Sequence, residues 1–344
     1  MSVVPDEQPE FERFKYRRTK LCDLGLTIEG TPLAPIVEEF LREVRERNIR
    51  VTPHCYLSTE WGVPFPSISI GIPFYLAHPD LIELHGERTG HVEGVGRADI
   101  LRYLRHEMGH VVNYAWRLYE DEDWVKTFGS MTQPYLEDYR PSPFSRRYVR
   151  HLPGWYAQKH PDEDWAETFA VWMAPGDRWR EEYRTWPAAL AKLKLCDRLM
   201  ATLATREPVV TDEDPDEHVA TLPYTAEDFY KEELAEEAEF PQGLDGSIRS
   251  IFEDLNQPEH ASTAPRLPAA SLIRRHRSQL AADVFRWTGH FPERTNALLR
   301  HLAERAEALE QVYPEDRDTE AAIALTTLVT ALAMNHVHQG TYLP

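Results

Sequence analysis

The chain is 344 residues long, with 57 acidic against 38 basic side chains and a formal net charge of -19. At 42% hydrophobic and 28% charged residues it reads as a folded protein of one large or two medium domains. Nonspecific nucleic-acid binding runs on clustered Lys and Arg that neutralise phosphates, so in a polyanion nucleic acid is not expected as a main partner. Cys22, Cys55 and Cys196 stand too far apart for a disulfide framework or a CxxC knuckle, and reduced thiols in a cytoplasmic protein are expected.

In chain order, Met1 to Phe14 carries Asp6, Glu7, Glu10 and Glu12 where a secretory leader needs an apolar run, so export is not expected. Ile36, Val37, Phe40, Leu41 and Val44 predict a helix over Pro35 to Arg47. Short β signals follow at Ile49 to Leu57 and at Ser67 to Phe74, where Ile68, Ile70 and Ile72 alternate with small residues. A longer helix is predicted from about Arg97 to Leu118, opened by Gly94 and Gly96 with Asp99 in its first turn. Another begins at Pro161 and runs through Trp165, Phe169 and Trp172 to Pro175. Helices over a small sheet make an α+β domain, assigned to residues 1–205.

The acid is concentrated. Glu207 to Glu239 holds thirteen Asp or Glu and one Lys, and with Pro208, Pro215 and Pro223 it reads as a solvated connector, 206–245, whose second half, Ala226 to Glu239, can form an acidic helix. Residues 246–344 read as an all-α bundle with helices at Pro268 to Trp287, Pro292 to Glu310 and Thr319 to His338. Its most apolar stretch, Ala321 to Met334, is shorter than the roughly 20 residues a bilayer span needs, so a buried core helix and no membrane are expected. The bundle is the candidate surface for a protein partner. Its Arg274, Arg275, His276 and Arg277 are expected to meet the acidic connector, and His336 and His338 to lie on the surface.

The chemistry sits on the first long helix, in His106-Glu107-Met108-Gly109-His110. Four residues make slightly more than one helical turn, so His106 and His110 share a face and can close on one metal. Glu107 stands out of line, placed to act as a general base on a water. With 15 histidines, chance produces this pattern in about one such chain in twenty, so a third ligand decides. The helix opened by His160-Pro161-Asp162-Glu163-Asp164-Trp165-Ala166-Glu167 offers two acids four apart on one face. Either Glu163 or Glu167 can complete a two-His, one-Glu zinc site, and the other can fix the tautomer of a ligand His.

HEMGH followed by WYAQKHPDEDWAETFA resembles the gluzincin metallopeptidases. The similarity is greatest to a bacterial group of zinc-binding metallopeptidases in which an HExxH helix precedes an E-D-[FW]-A-E helix. It extends from about Leu21 through Met200, includes Gly71-Ile72-Pro73-Phe74-Tyr75-Leu76-Ala77-His78-Pro79, and does not reach the bundle. The resemblance implies a zincin-like domain binding one zinc ion, with Glu163 as third ligand and Glu167 behind a ligand His. It also implies that Tyr156, seven residues before Glu163, donates to the oxyanion. Many members carry an N-terminal Cys-rich ribbon that this sequence lacks, so the partner recruited by that ribbon does not carry over.

The expected function is zinc-dependent hydrolysis of a peptide or amide bond, with a peptide or protein as substrate. The alternatives are a noncatalytic partner-binding protein stabilised by zinc, and a hydrolase of a small amide or an isopeptide bond. Of the other candidates, His85 and His91 read as loop residues, and His151 and His160 as structural neighbours of the second helix. Arg146, Arg147 and Arg150 read as a solvated turn or a carboxylate clamp. Ser67 to Ile72 is a strand that is either internal or a sheet edge open to an extended peptide.

Overall fold

The computed structural model describes residues 16–89, 91–135, 139, 141–142, 144–233, 240, 243–256 and 264–343. The leader reading of Met1 to Phe14 and the last six residues of the proposed acidic helix lie outside them. The chain divides into two compact units, Met1–His85 with Val92–Glu232 and Gly86–His91 with Glu233–Pro344.

The first unit contains the helix α1 (Ala34–Glu46), strands β1 (His54–Ser58) and β2 (Ser69–Pro73), and the helix α2 (Pro79–Thr89), most of which belongs to it. Helices α3 (Arg97–Trp116), α4 (Glu122–Phe128), α5 (Pro161–Met173), α6 (Trp179–Glu182), α7 (Pro187–Leu203) and α8 (Ala226–Glu233) follow. The two strands pair in parallel, with Cys55 opposite Ile70 and Leu57 opposite Ile72. β2 is buried along its whole length. Ile68 N–H donates to Asp212 O at 3.0 Å and Gly71 N–H to Gly62 O at 2.8 Å, so the strand is engaged beyond its pairing with β1. α3 packs on β2, on α1 and, most extensively, on α5, which in turn packs on α7. Its Leu104, Met108, Val111 and Val112 are buried, removing roughly 1.5–3 kcal/mol of apolar surface each from water.

Glycine at 109 permits the closest of these contacts. A Cβ there would stand 2.6 Å from Ala166 Cα and 3.1 Å from Ala166 O. Only a residue without a side chain lets α3 and α5 approach this far, and Trp165 Nε1–H locks the pair by donating to Gly109 O at 2.7 Å.

The acidic segment is not a free connector in the described residues. Val209 and Val210 N–H donate to Ala115 O at 2.7 and 3.0 Å, and Asp216 N–H donates to the Tyr56 hydroxyl oxygen at 3.0 Å. Leu21 N–H donates to Tyr224 O at 2.9 Å. Val210, Val219, Leu222, Ala226 and Tyr230 are buried. Sparse apolar residues among the acids anchor residues 209–230 to the first unit, while their carboxylates stay in water.

The second unit holds α9 (Leu244–Arg249), β3 (Glu253–Asp254), β4 (Arg266–Pro268), α10 (Ala269–Thr288), α11 (Pro292–Ala308), β5 (Gln311–Pro314) and α12 (Asp318–Gln339). α10 and α11 pack most closely, around a core that includes Leu272, Ile273, Leu298, Leu302, Leu325 and Val329. To the expected helices the structure adds a small antiparallel sheet in the order β3-β5-β4, whose strands of two to four residues are too short to show a period.

Arg274 pairs with Glu307, at 2.5 Å, and Arg275 with Asp318, both within this unit. Two readings of the unit are corrected. His336 stacks on Tyr342 with ring centroids 4.5 Å apart and is half-buried, whereas His338 is exposed. α12 buries one face only: Ala321, Leu325, Val329 and Leu332 are covered, and Ile323 is 63% exposed. By length and composition alone Glu315–Gln339 could cross a bilayer, a test that core helices of other proteins also pass.

Candidate metal centre

Two helix starts place the site. α3 is entered through Gly96 at φ 81, with Asp99 accepting from Gly94 N–H at 3.2 Å. α5 is capped by the His160 side chain, which accepts from Asp162 N–H at 3.2 Å, with Pro161 in the first turn. Asp162, Glu163 and Asp164 follow in that turn, where the positive end of the helix dipole favours carboxylates. Asp164 turns away to a buried ion pair with Lys192 at 2.5 Å. The other two face α3.

His106 and His110 are buried, and each has its Nδ1 beside a carboxylate oxygen at 3.0 Å, His106 with Glu167 Oε1 and His110 with Asp162 Oδ2. An ionised carboxylate only accepts, so Nδ1 carries the proton in each ring, and Nε2, which holds the lone pair of the neutral form, points forward. The two Nε2 atoms lie 3.2 Å apart. Glu163 Oε2 stands 3.1 Å from the first and 3.4 Å from the second, and it is buried with no hydrogen-bond partner.

Two ring nitrogens and a carboxylate oxygen at such separations require positive charge among them, a proton or a metal ion. A tetrahedral zinc with bonds of about 2.0–2.1 Å would space its ligands by about 3.3 Å, so the residues fit the metal. The charges agree. Burial lowers the pKa of His106, but Glu163 and Glu167 overcome it and raise it to about 9. Burial likewise opposes the rise of His110, which Asp162 and Glu163 produce. Burial raises Glu163, yet His110 and His106 hold it well below the usual carboxylate range. The centre attracts positive charge to the point where a metal would sit.

Glu107 is buried one residue along α3 from His106, and burial raises its pKa, with His106 and His110 opposing the rise. The Tyr156 ring lies 5.6 Å from the His106 ring, and burial with the nearby Glu163 charge keeps its phenol protonated. Its backbone comes from a sharp turn in which Gly154 and Trp155 both have positive φ, 79° and 56°. Glu167, fully buried, also accepts from His151 N–H at 3.2 Å and Leu152 N–H at 3.0 Å, which ties this turn to the ligand His106. The structure thus brings His106, Glu107, His110, Tyr156, Glu163 and Glu167 together.

It does not bring in the others. His85 Nδ1 lies 3.1 Å from the Tyr230 hydroxyl, and His91 packs on Phe285 at 6.2 Å. His151 Nε2 lies 2.9 Å from the Arg102 carbonyl oxygen. The Arg150 guanidinium lies over the Trp186 ring at 5.1 Å, and Arg146 and Arg147 are exposed.

Four neighbours went unassigned in the sequence. Asp162 accepts from Asn113 Nδ2 at 2.6 Å and Tyr114 Oη at 2.5 Å in addition to facing His110. Tyr135 donates to Glu163 Oε1 at 2.6 Å. Asp162 adjoins the candidate ligand and had a signal in that position. Tyr135, 28 residues upstream in a loop, had none.

An HExxH helix facing a second helix that supplies a buried carboxylate is a candidate site for one metal ion. Residues 92–188, which carry both helices, match the model of the family described as "Putative zinc-binding metallo-peptidase". His106, His110 and Glu163 are the ligand set of the candidate metal site, and zinc is the metal of that family. Searches of curated proteins and of solved structures return no match.

Proposed function

We propose that the first unit hydrolyses peptide or amide bonds in a gluzincin-type reaction, with His106, His110 and Glu163 holding the zinc. The carrying observation is the unpaired Glu163 Oε2 facing two Nε2 atoms whose Nδ1 partners are carboxylates. Bound zinc supplies a Lewis acid that polarises the scissile carbonyl and acidifies water.

Glu107 takes the proton of the attacking water on its carboxylate and passes it to the leaving amine. Burial moves the Glu107 pKa upward, the direction in which a carboxylate returns a proton as well as accepts it. Tyr156, protonated and beside His106, donates its hydroxyl to the oxygen that becomes negative. Glu167 and Asp162 keep the two imidazoles aimed. Three free thiols fit a cytoplasmic setting, and a peptide or protein is the substrate such a reaction takes.

Glu107→Gln tests the reading. The variant is expected to keep its fold and its zinc while hydrolysis of a peptide library falls by about 10²–10⁴. Metal content by elemental analysis and cleavage by mass spectrometry read the two quantities separately. Cleavage equal to wild type refutes the base. A wild type that binds zinc and cleaves nothing favours the noncatalytic alternative.

A further inference from the structure

We propose that Tyr135 is a positioning residue of this metal centre, acting on the third ligand and on the oxyanion donor together; the inference rests on the zinc reading above. Its hydroxyl oxygen is 2.6 Å from Glu163 Oε1 and 3.2 Å from the Tyr156 hydroxyl. A phenol has one proton to give. Tyr135 donates it to Glu163 Oε1. The Tyr135 oxygen is then left as acceptor for the Tyr156 proton.

Two consequences follow from this one-way chain. On the Glu163 side, Oε1 is occupied, so the carboxylate turns Oε2 alone toward His106 and His110, which matches the unpaired state of Oε2. The carboxylate is thereby set up as a single-oxygen ligand before metal arrives. On the Tyr156 side, the phenol proton is held on Tyr135 until a developing oxyanion competes for it, a stronger acceptor than a neutral phenol oxygen. The Lys159 ammonium lies over both rings, 4.3 Å from the centroid of Tyr135 and 5.2 Å from that of Tyr156, and keeps the pair side by side. Tyr135 itself is 46% exposed, so its contacts hold the ligand rather than a core.

The test is zinc affinity of the full chain, measured by competition with a chromophoric chelator and zinc alone, for wild type, Tyr135→Phe and Tyr156→Phe. Melting of the metal-free proteins is followed in parallel. Tyr135→Phe is expected to weaken zinc binding about tenfold, the scale on which partners behind a ligand act, with metal-free melting unchanged. Tyr156→Phe, which touches no ligand oxygen, is expected to bind zinc as wild type does. Wild-type affinity in Tyr135→Phe overturns the assignment. So does a loss of zinc accompanied by an equal loss in Tyr156→Phe or by a fall in metal-free stability, either of which marks general loosening of the loop. A wild type that takes up no zinc fails at the earlier step and refutes the site reading itself.

Discussion

Asp162 accepts from three directions: His110 Nδ1 and Tyr114 Oη meet one oxygen, and Asn113 Nδ2 meets the other. Burial raises its pKa, but the charge and hydrogen bond of His110 and the Tyr114 hydroxyl hold it below the usual value. Asp162→Asn keeps the shape, removes the charge and turns an amide N–H toward a donor. Zinc affinity is expected to fall about 10–100-fold, read by chelator competition, and an unchanged affinity would show that the carboxylate is dispensable. His106 and His110, and the face of α5 that carries Glu163 and Glu167, were legible because a helix period decides which side chains share a face. Asp162 was not, since it lies about 100° around α5 from Glu163. Two imidazoles one turn apart require two different carboxylates behind them, and the facing helix supplies Glu167 for His106 and Asp162 for His110.

Between elements, the contact of α3 with α5 sets the ligand spacing, and Gly109 sets that contact. Alanine is a better helix former by about 1 kcal/mol, which by itself predicts that Gly109→Ala stabilises. A Cβ 2.6 Å from Ala166 Cα argues the reverse, because neither backbone can yield without moving a helix. Overpacking of this kind costs about 1–3 kcal/mol. The expected outcome is a net loss of up to about 2 kcal/mol in chemical denaturation, together with weaker zinc binding as His106 and His110 draw away from Glu163. A variant more stable than wild type would mean that the helices adjust freely. The sequence showed a glycine with a packing or functional reason but not its partner. It likewise showed two β segments without revealing that they run parallel, since side-chain alternation is the same in either direction.

At the scale of the molecule, stability is linked to pH through a group in the second unit. His290 is buried in the second unit, with Nδ1 2.7 Å from the Thr295 hydroxyl and Nε2 2.9 Å from the Tyr342 hydroxyl. Burial, with His336 and Arg294, pushes its pKa down to about 3. An unfolded histidine titrates near 6.5, so between the two values the unfolded chain binds a proton that the folded one refuses. Its full stability is therefore present above about pH 6.5 and declines as pH falls toward 3. From pH 7.5 to pH 5, the metal-free wild type is expected to lose about 2 kcal/mol more than His290→Gln in urea denaturation, and equal losses would contradict the linkage.

The sequence by itself determined α3 and α5, the pair His106 and His110 with Glu163 or Glu167 to complete it, and the concentration of acid, because these depend on local period and composition. Only the tertiary structure decided which acid stands behind which imidazole, that Tyr135 reaches Glu163, and that residues 209–230 pack on the first unit. Those facts depend on distances between segments remote along the chain, which no periodicity within a segment encodes.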